Sequence, residues 1–382
     1  MKSKKILLFT TYYTPGIKGG GPIQSIKNIV ENLSDQITFN IITSDRDLGD
    51  RHPFENIQTN VWNRVGKANV KYLNANSFNL QLLIKMIKGM DYDVIYLNSF
   101  FSFKYSILPI LINKLIGDPN KLIVLSPRGE FSEGALGLKR IKKLIYLRIV
   151  KILGIYKKVK WHATAEGEKK DIIKIFGEYS NVVVASNLTA NYRELKYIEE
   201  KSKFSGELNI VFLSRIHPKK NLKKAIEYLN FVKGNVRLTI FGPIEDDSYW
   251  NECSSEIKKL PLNIKVEYKG TIEHNEILNM YKNHHIFLLP TLGENFGHVI
   301  SEALVGGCPI IISDNTPWRN LNDEKVGFDI SLKDDYKYIS AIQYFVDMKS
   351  DEYLIYSKNA FEYGIKMSNH EENIQLTYDI FQ

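Results

Sequence analysis

The chain is poor in cysteine. Its 382 residues include only Cys253 and Cys308, too few for a disulfide framework and without the paired spacing of a zinc site, which points to a reducing compartment. It also lacks any run of about 18 uncharged apolar residues, the length that crosses a bilayer, so integral membrane insertion is not expected. The opening stretch MKSKKILLFTTYYTPG starts with positive charge, but its apolar run, Ile6 to Phe9, is short and no small-residue cleavage site follows. It reads as a first buried strand rather than a leader. Acidic residues are missing altogether between Gly134 and Ala165.

What is present is globular: 44% hydrophobic and 25% charged residues exclude wholesale disorder. At about 150 residues per domain, the length suggests two or three domains. The net charge of +8 is uneven, with +13 on residues 1–190 and −5 on residues 191–382. Two units with different partners follow from that split. The sum alone leaves nucleotide, nucleic acid and membrane open as the anionic partner.

Short apolar runs alternate with helical patterns: KKILLFTTYY, ITFNIITSD, YDVIYLNS, NKLIVLSPRG, KWHATAEG and NVVVASN. Continuous Val/Ile/Leu runs followed by helices predict a parallel sheet buried on both faces. After a polar segment, 191–207, the pattern restarts with LNIVFLSR, VRLTIFG, IKVEYKG, HHIFLLP and CPIIISD. The expected organisation is therefore a domain at 1–190, a linker at 191–207, a second domain at 208–360 and a C-terminal helix at 361–382. Two doubly wound α/β units in tandem place ligands at a crevice outside their strand carboxyl ends.

Three motifs lie just after expected strands. The loop Pro15-Gly16-Ile17-Lys18-Gly19-Gly20-Gly21-Pro22 precedes a helix expected from Ile23, and its glycines let backbone N–H groups approach an anion. It is neither G-x-G-x-x-G nor a P-loop. In LNIVFLSRIHPKKN, Arg215 and Lys220 stand at a strand end before a helix, where cations oppose the helix dipole unless an anion sits between. In LLPTLGENFGHVISEAL, Glu294 and Glu302 are eight residues apart around a helix start at Phe296 and Gly297. Carboxylates there suit sugar or ribose hydroxyls, and the free N–H groups at Phe296, Gly297 and His298 suit a phosphate.

GENFGHVISEAL resembles the E-x7-E signature of retaining glycosyltransferase family 4, and SRIHPKKN resembles that family's Arg/Lys diphosphate pair. The motif order resembles the GT-B architecture: two Rossmann-like doubly wound domains facing a central cleft, with a C-terminal helix crossing back to the first. The resemblance is strongest over 208–320. It implies that Glu302 binds ribose hydroxyls, that Glu294 binds donor-sugar hydroxyls, and that Arg215 and Lys220 stabilise the leaving diphosphate. It further places Gly20 and Gly21 near the donor phosphate and the acceptor, Asn295, Phe296, Gly297 and His298 around the phosphates, and Gly242, Pro243 and the Lys269-Gly270 turn at the base and ribose.

The front half departs from the family pattern. A strand that often ends in histidine ends here in Asn98 and Ser99, and Arg128-Gly129-Glu130 stands where relatives often have His-Gly. Arg128, Glu130, His162 and Asn98 are the acceptor-side candidates, with a structural role open for each. Glu166 and Glu168 are expected to begin a helix. Asp91-Tyr92-Asp93 precedes its strand, away from the crevice; Asp45-Arg46-Asp47 follows one but carries an Arg, so no required metal is expected.

The acid-free stretch packs nine Lys and Arg between 139 and 160, with apolar residues at helical spacing. This predicts either an anionic membrane surface partner or an ordinary helix with a solvated face. With the resemblance, the implied function is metal-independent retaining transfer of a hexose or N-acetylhexosamine from a nucleotide sugar, UDP above others. The implied acceptor is a saccharide, lipid-diphosphate-linked, at the cytoplasmic face of the membrane, as in capsule, O-antigen or glycolipid assembly. The rival readings are a GT-B sugar-nucleotide epimerase and a basic nucleic-acid-binding protein. The latter lacks a recognisable binding pattern, so no nucleic-acid partner is expected.

Overall fold

A computed structural model describes residues 3–74, 79–137, 140–199, 202–368 and 371–382. Lys139 of the basic stretch, Glu200 and Lys201 of the polar segment, and Asn369 and His370 of the tail lie outside the described residues. The chain divides into two compact units, Met1–Ala190 with Glu371–Gln382, and Asn191–His370.

The first unit is built on β1 (Lys4–Thr10), β2 (Ile37–Ser44), β3 (Trp62–Val65), β4 (Ala68–Leu73), β5 (Val94–Asn98), β6 (Leu122–Ser126), β7 (Lys160–Ala163) and β8 (Val182–Val184). They form one sheet in the order β3-β4-β2-β1-β5-β6-β7-β8. Every pair is parallel except β3 with β4, joined by the two-residue turn Gly66-Lys67 with Gly66 at φ 53°. Ile6 and Leu8 point to one face and Leu7 and Phe9 to the other, all fully buried, so each face has its own core. The helix Gly21–Leu33 starts two residues earlier than the sequence pattern suggests, with Pro22 in its first turn.

The second unit holds β9 (Glu207–Leu213), β10 (Asn235–Phe241), β11 (Ile264–Tyr268), β12 (Ile286–Leu289), β13 (Ile310–Ser313) and β14 (Gly327–Ile330). Its all-parallel sheet has the order β11-β10-β9-β12-β13-β14, and the reversal of direction at β9 creates a switch point. The polar segment before β9 packs within this unit. Lys203 is buried and donates from Nζ to the carbonyls of Phe204, Val346 and Met348 at 2.8, 3.1 and 3.2 Å. Burial lowers its pKa to about 8.

The tail forms two helices. Ser350–Ser368 belongs to the second unit, and Glu371–Ile380 to the first. Behind the latter, Phe381 is fully buried, edge-on to Phe39 and Tyr96 with ring centroids 6.4 and 5.1 Å away.

The basic stretch forms the helix Arg140–Ile152, which turns only Leu147 and Val150 fully inward. Ile141, Leu144, Ile145, Ile149, Ile152 and Leu153 stay exposed. Leu115 and Ile116, also exposed, adjoin its end through Lys114, whose Nζ donates to the carbonyls of Leu153 and Gly154 at 3.3 and 3.0 Å. No described helix is long and apolar enough to cross a membrane.

Candidate active site

Two loops at the carboxyl ends of β9 and β12 are stitched together. Leu292 N and Thr291 Oγ1 donate to the Lys219 carbonyl at 2.8 and 3.1 Å, and Asn221 Nδ2 donates to the Pro290 carbonyl at 2.9 Å. Asn221 itself is left-handed at φ 60°, a conformation its short amide tolerates, and it ends the turn Pro218–Lys220. This stitching sets Lys220 against Glu294: their side chains form a charge-assisted hydrogen bond while each is only 13% exposed. Arg215 Nη1 contacts both carboxylate oxygens of Glu245, at 3.0 and 2.9 Å. Each of the two cations singled out in the sequence therefore has an internal carboxylate counter-ion, which an incoming polyanion must displace or join.

The helix His298–Val305 is capped by Gly297 at φ 80°, and Phe296 is held over Trp318, whose Nε1 donates to the Phe296 carbonyl at 2.6 Å. Glu302 lies on the second turn and is 6% exposed. His274 Nδ1 stands 3.9 Å from its carboxylate. Asn295 and His298 lie on either side of the Phe296-Gly297 corner, both partly buried. Gly242, at φ 128°, ends β10, and its N–H donates to the Gly270 carbonyl at 2.8 Å. The Pro243 carbonyl accepts from Ile216 N at 2.8 Å, joining the loops after β9 and β10. Arg215, Lys220, Gly242, Pro243, Glu294–His298 and Glu302 thus all lie at, or follow, carboxyl ends of strands in one sheet.

Sequence reasoning missed Glu245, 30 residues from Arg215 along the chain, and His274 and Trp318. Glu245 stands in the loop that follows β10, as Arg215 stands in the loop that follows β9, and that shared position was the available signal.

In the first unit the candidates form an internal network. Arg128, left-handed at φ 54°, donates to Asn98 Oδ1 from Nε and Nη2 at 3.0 and 2.8 Å, to Asn187 Oδ1 at 2.6 Å and to the Tyr96 hydroxyl at 3.0 Å. Glu130 accepts from Ser99 Oγ, Phe100 N and Phe101 N at 2.7, 2.5 and 3.1 Å, so it holds the loop after β5; burial raises its pKa. Glu168, in the first turn of the helix Glu166–Phe176, accepts from Gly129 N at 2.6 Å.

His162, an acceptor-side candidate for which a structural role stood equally open, has the surroundings of a structural histidine. It is 1% exposed, and both ring nitrogens are engaged, with the Tyr96 hydroxyl at 2.8 Å and the Ala185 carbonyl at 3.0 Å. Since Tyr96 accepts from Arg128, its own proton goes to His162 Nδ1, and Nε2–H donates to Ala185. Burial first, then the Arg128 charge, lowers this pKa from 6.5 to about 3. The unfolded chain therefore binds more protons than the fold between those values. Stability owed to neutral His162 is complete above pH 6.5 and lost as pH falls through that window, at up to about 1.4 kcal/mol per unit. Urea unfolding midpoints from pH 7 to 4 should fall more steeply for wild type than for His162→Gln; parallel curves would refute the buried neutral ring.

The glycine loop is fastened from below. Asp47 Oδ2 accepts from Ile17 N and Lys18 N at 2.6 and 2.8 Å, and Asp45 pairs with Arg46 at 2.8 Å, so these carboxylates support the loop and a neighbouring cation. Asp93 accepts from Lys5 N and Asp91 pairs with Lys5 Nζ, at the opposite end of the sheet. Gly20, at φ 68°, caps the first helix, and a Cβ at Gly21 would meet nothing within 4 Å. No group of three or more His, Cys, Asp or Glu with metal-holding geometry occurs among the described residues.

Residues 194–363 match the family of glycosyl transferases group 1. An uncharacterized 41.2 kDa protein in the cps region of Klebsiella pneumoniae is 25% identical over 306 residues, covering 77% of this chain and 78% of that protein. Anabaena HepE, solved in complex with UDP and glucose, superposes with TM-score 0.69 at 14% identity, covering 99% of this chain and 98% of HepE. A glycosyltransferase from Rickettsia africae does so with TM-score 0.69 at 15% identity, covering 100% and 98%. By fold the chain is thus of the GT-B type, and its second unit carries the sequence pattern of the glycosyl transferases group 1 family.

Proposed function

We propose that this protein is a metal-independent retaining glycosyltransferase of family 4 type, moving a hexose or N-acetylhexosamine from a UDP-sugar to a saccharide acceptor. The observation that carries the reading is the gathering of Arg215, Lys220, Glu294 and Glu302 at the strand ends of one parallel sheet. Arg215 and Lys220 take the diphosphate, with N–H groups at the His298–Val305 helix start. Glu294 orients the donor sugar and Glu302 the ribose; Gly242 and Pro243 wall the base. The bond from the anomeric carbon to the diphosphate breaks, the acceptor oxygen bonds that carbon on the same face, and its proton passes to the departing phosphate oxygen. In the first unit, Asn98, Arg128 and Glu130 hold the loops that follow β5 and β6. The UDP in the HepE complex supports the donor class. A nucleotide-sugar panel scored by thermal unfolding tests the reading: the true donor at 100 times its dissociation constant should add about 2.7 kcal/mol. No stabilisation by any uridine nucleotide would sink it.

The acceptor is proposed to be lipid-linked, with the enzyme on the cytoplasmic face of the membrane. The cps-region relative fits the capsule setting. The exposed apolar side chains of the helix Arg140–Ile152, set among Arg140, Lys142, Lys143, Arg148 and Lys151, suit an anionic lipid surface. In flotation assays, wild type should rise with anionic vesicles and the Ile145→Glu/Ile149→Glu variant should not. Equal recovery with neutral vesicles would remove the electrostatic part.

A further inference from the structure

Resting on the transferase reading, we infer that the first unit binds one pyranose ring of the acceptor in a cavity that none of the acceptor-side candidates Asn98, Arg128, Glu130 and His162 lines. This cavity, about 260 Å³, lies at the carboxyl ends of β1, β2 and β4 and is lined by Thr11, Tyr12, Ser44, Arg46, Lys104 and Tyr105, among others. That is the edge where parallel sheets place ligands. Its volume falls below the roughly 300–1,000 Å³ of pockets for drug-sized ligands, which suits one ring better than a nucleotide.

The lining has the chemistry of a polyol site. A sugar presents hydroxyls that both donate and accept, around two apolar C–H faces. Thr11, Tyr12 and Ser44 bring hydroxyls of the same dual character, Arg46 and Lys104 bring donors, and Asp47 and Asp50 bring acceptors. Leu73 and Tyr105, both buried, add apolar lining. Partial burial and the Asp47 charge raise the pKa of Tyr12, so its hydroxyl stays protonated, and it has no hydrogen-bond partner among the described residues. The two carboxylates on the wall oppose a diphosphate here.

Two features mark the cavity as built. Lys104 and Tyr105 sit on a single turn of π-helix, Phe103–Ile107, a conformation that recurs at functional sites. Asp47, on the wall, also grips the glycine loop through Ile17 N and Lys18 N. An acceptor ring seated there would press on the same carboxylate that shapes the loop carrying Gly20 and Gly21.

Saturation-transfer NMR on the full chain, with the methyl pyranosides of glucose, galactose and N-acetylglucosamine as probes, tests this inference. At least one should bind wild type, and Tyr12→Phe and Lys104→Met should each weaken it about fivefold, the equivalent of one hydrogen bond. Stabilisation by UDP should be unchanged in both variants, which also shows that they fold. No transfer to any pyranoside, or binding indifferent to both substitutions, would overturn the proposal. Failure of UDP to stabilise wild type would instead count against the transferase reading, since the sugar result is read independently.

Discussion

Lys220→Ala is expected to lower turnover by about 10²–10³, the usual loss when one preorganised group stabilising transition-state charge is removed. The reason is positional. Lys220 is held in a turn fixed by hydrogen bonds to the loop that carries Glu294, so in the proposed reaction its charge would be in place before the diphosphate leaves. The same substitution strands Glu294, which is only 13% exposed, without its cation. Breaking such a pair typically costs about 3–5 kcal/mol when fully buried, and less at this exposure. Lost folding could therefore mimic lost chemistry. Lys220→Ala/Glu294→Gln, read against Glu294→Gln alone, separates the two: it removes the stranded charge and should recover the unfolding midpoint, while turnover stays well below that of Glu294→Gln. Turnover equal to that of Glu294→Gln, along with recovered stability, would show that Lys220 acts only as a structural partner.

The second large effect is on folding. At Gly242→Ala, the new Cβ would lie 1.8 Å from the Ser214 carbonyl oxygen, at a φ of 128° that side chains rarely adopt. Neither neighbour can yield, because Ser214 N donates to the Phe241 carbonyl and Gly242 N to the Gly270 carbonyl, pinning three strand ends together. A loss above about 4 kcal/mol is expected, the range tied to forced backbone strain. For a unit of this size it corresponds to a fall in Tm of roughly 10 °C, with loss of nucleotide-induced stabilisation. Gly21→Ala is the contrast, since its Cβ meets open space within a helix. It should leave unfolding stability within about 1 kcal/mol of wild type or raise it, with Tm unchanged or higher. Equal Tm for Gly242→Ala and wild type would show that the strand ends can part.

These outcomes also mark where sequence reading stops. Runs such as LLFT, VIYLN and IIIS announce buried parallel strands because both their faces need apolar residues. β3 and β14 do not announce themselves. Trp62–Val65 is an edge strand with alternate residues in water, and Gly327–Ile330 has four residues, one of them glycine. Arg215 and Lys220 were visible in the loop after a strand run, and Glu294 and Glu302 by their spacing around the helix start that follows one. Glu245 also stands in a loop after a strand, but its pairing with Arg215, like the cavity around Tyr12, depends on loops 30 or more residues apart being brought together. Asn98, Arg128, Glu130 and His162 have the composition of a ligand site. Only geometry shows their bonds turned inward, toward Tyr96, Asn187, the Ala185 carbonyl and the loop after β5.

The helix Glu371–Ile380 and the buried Phe381 bear on the order in which this protein is made. A ribosome completes the whole second unit before it reaches the residues that cover Phe39 and Tyr96 in the first. Throughout that interval the first sheet has one apolar face short of its cover, so the nascent chain is open to chaperones and to self-association for as long as 191–370 takes to translate.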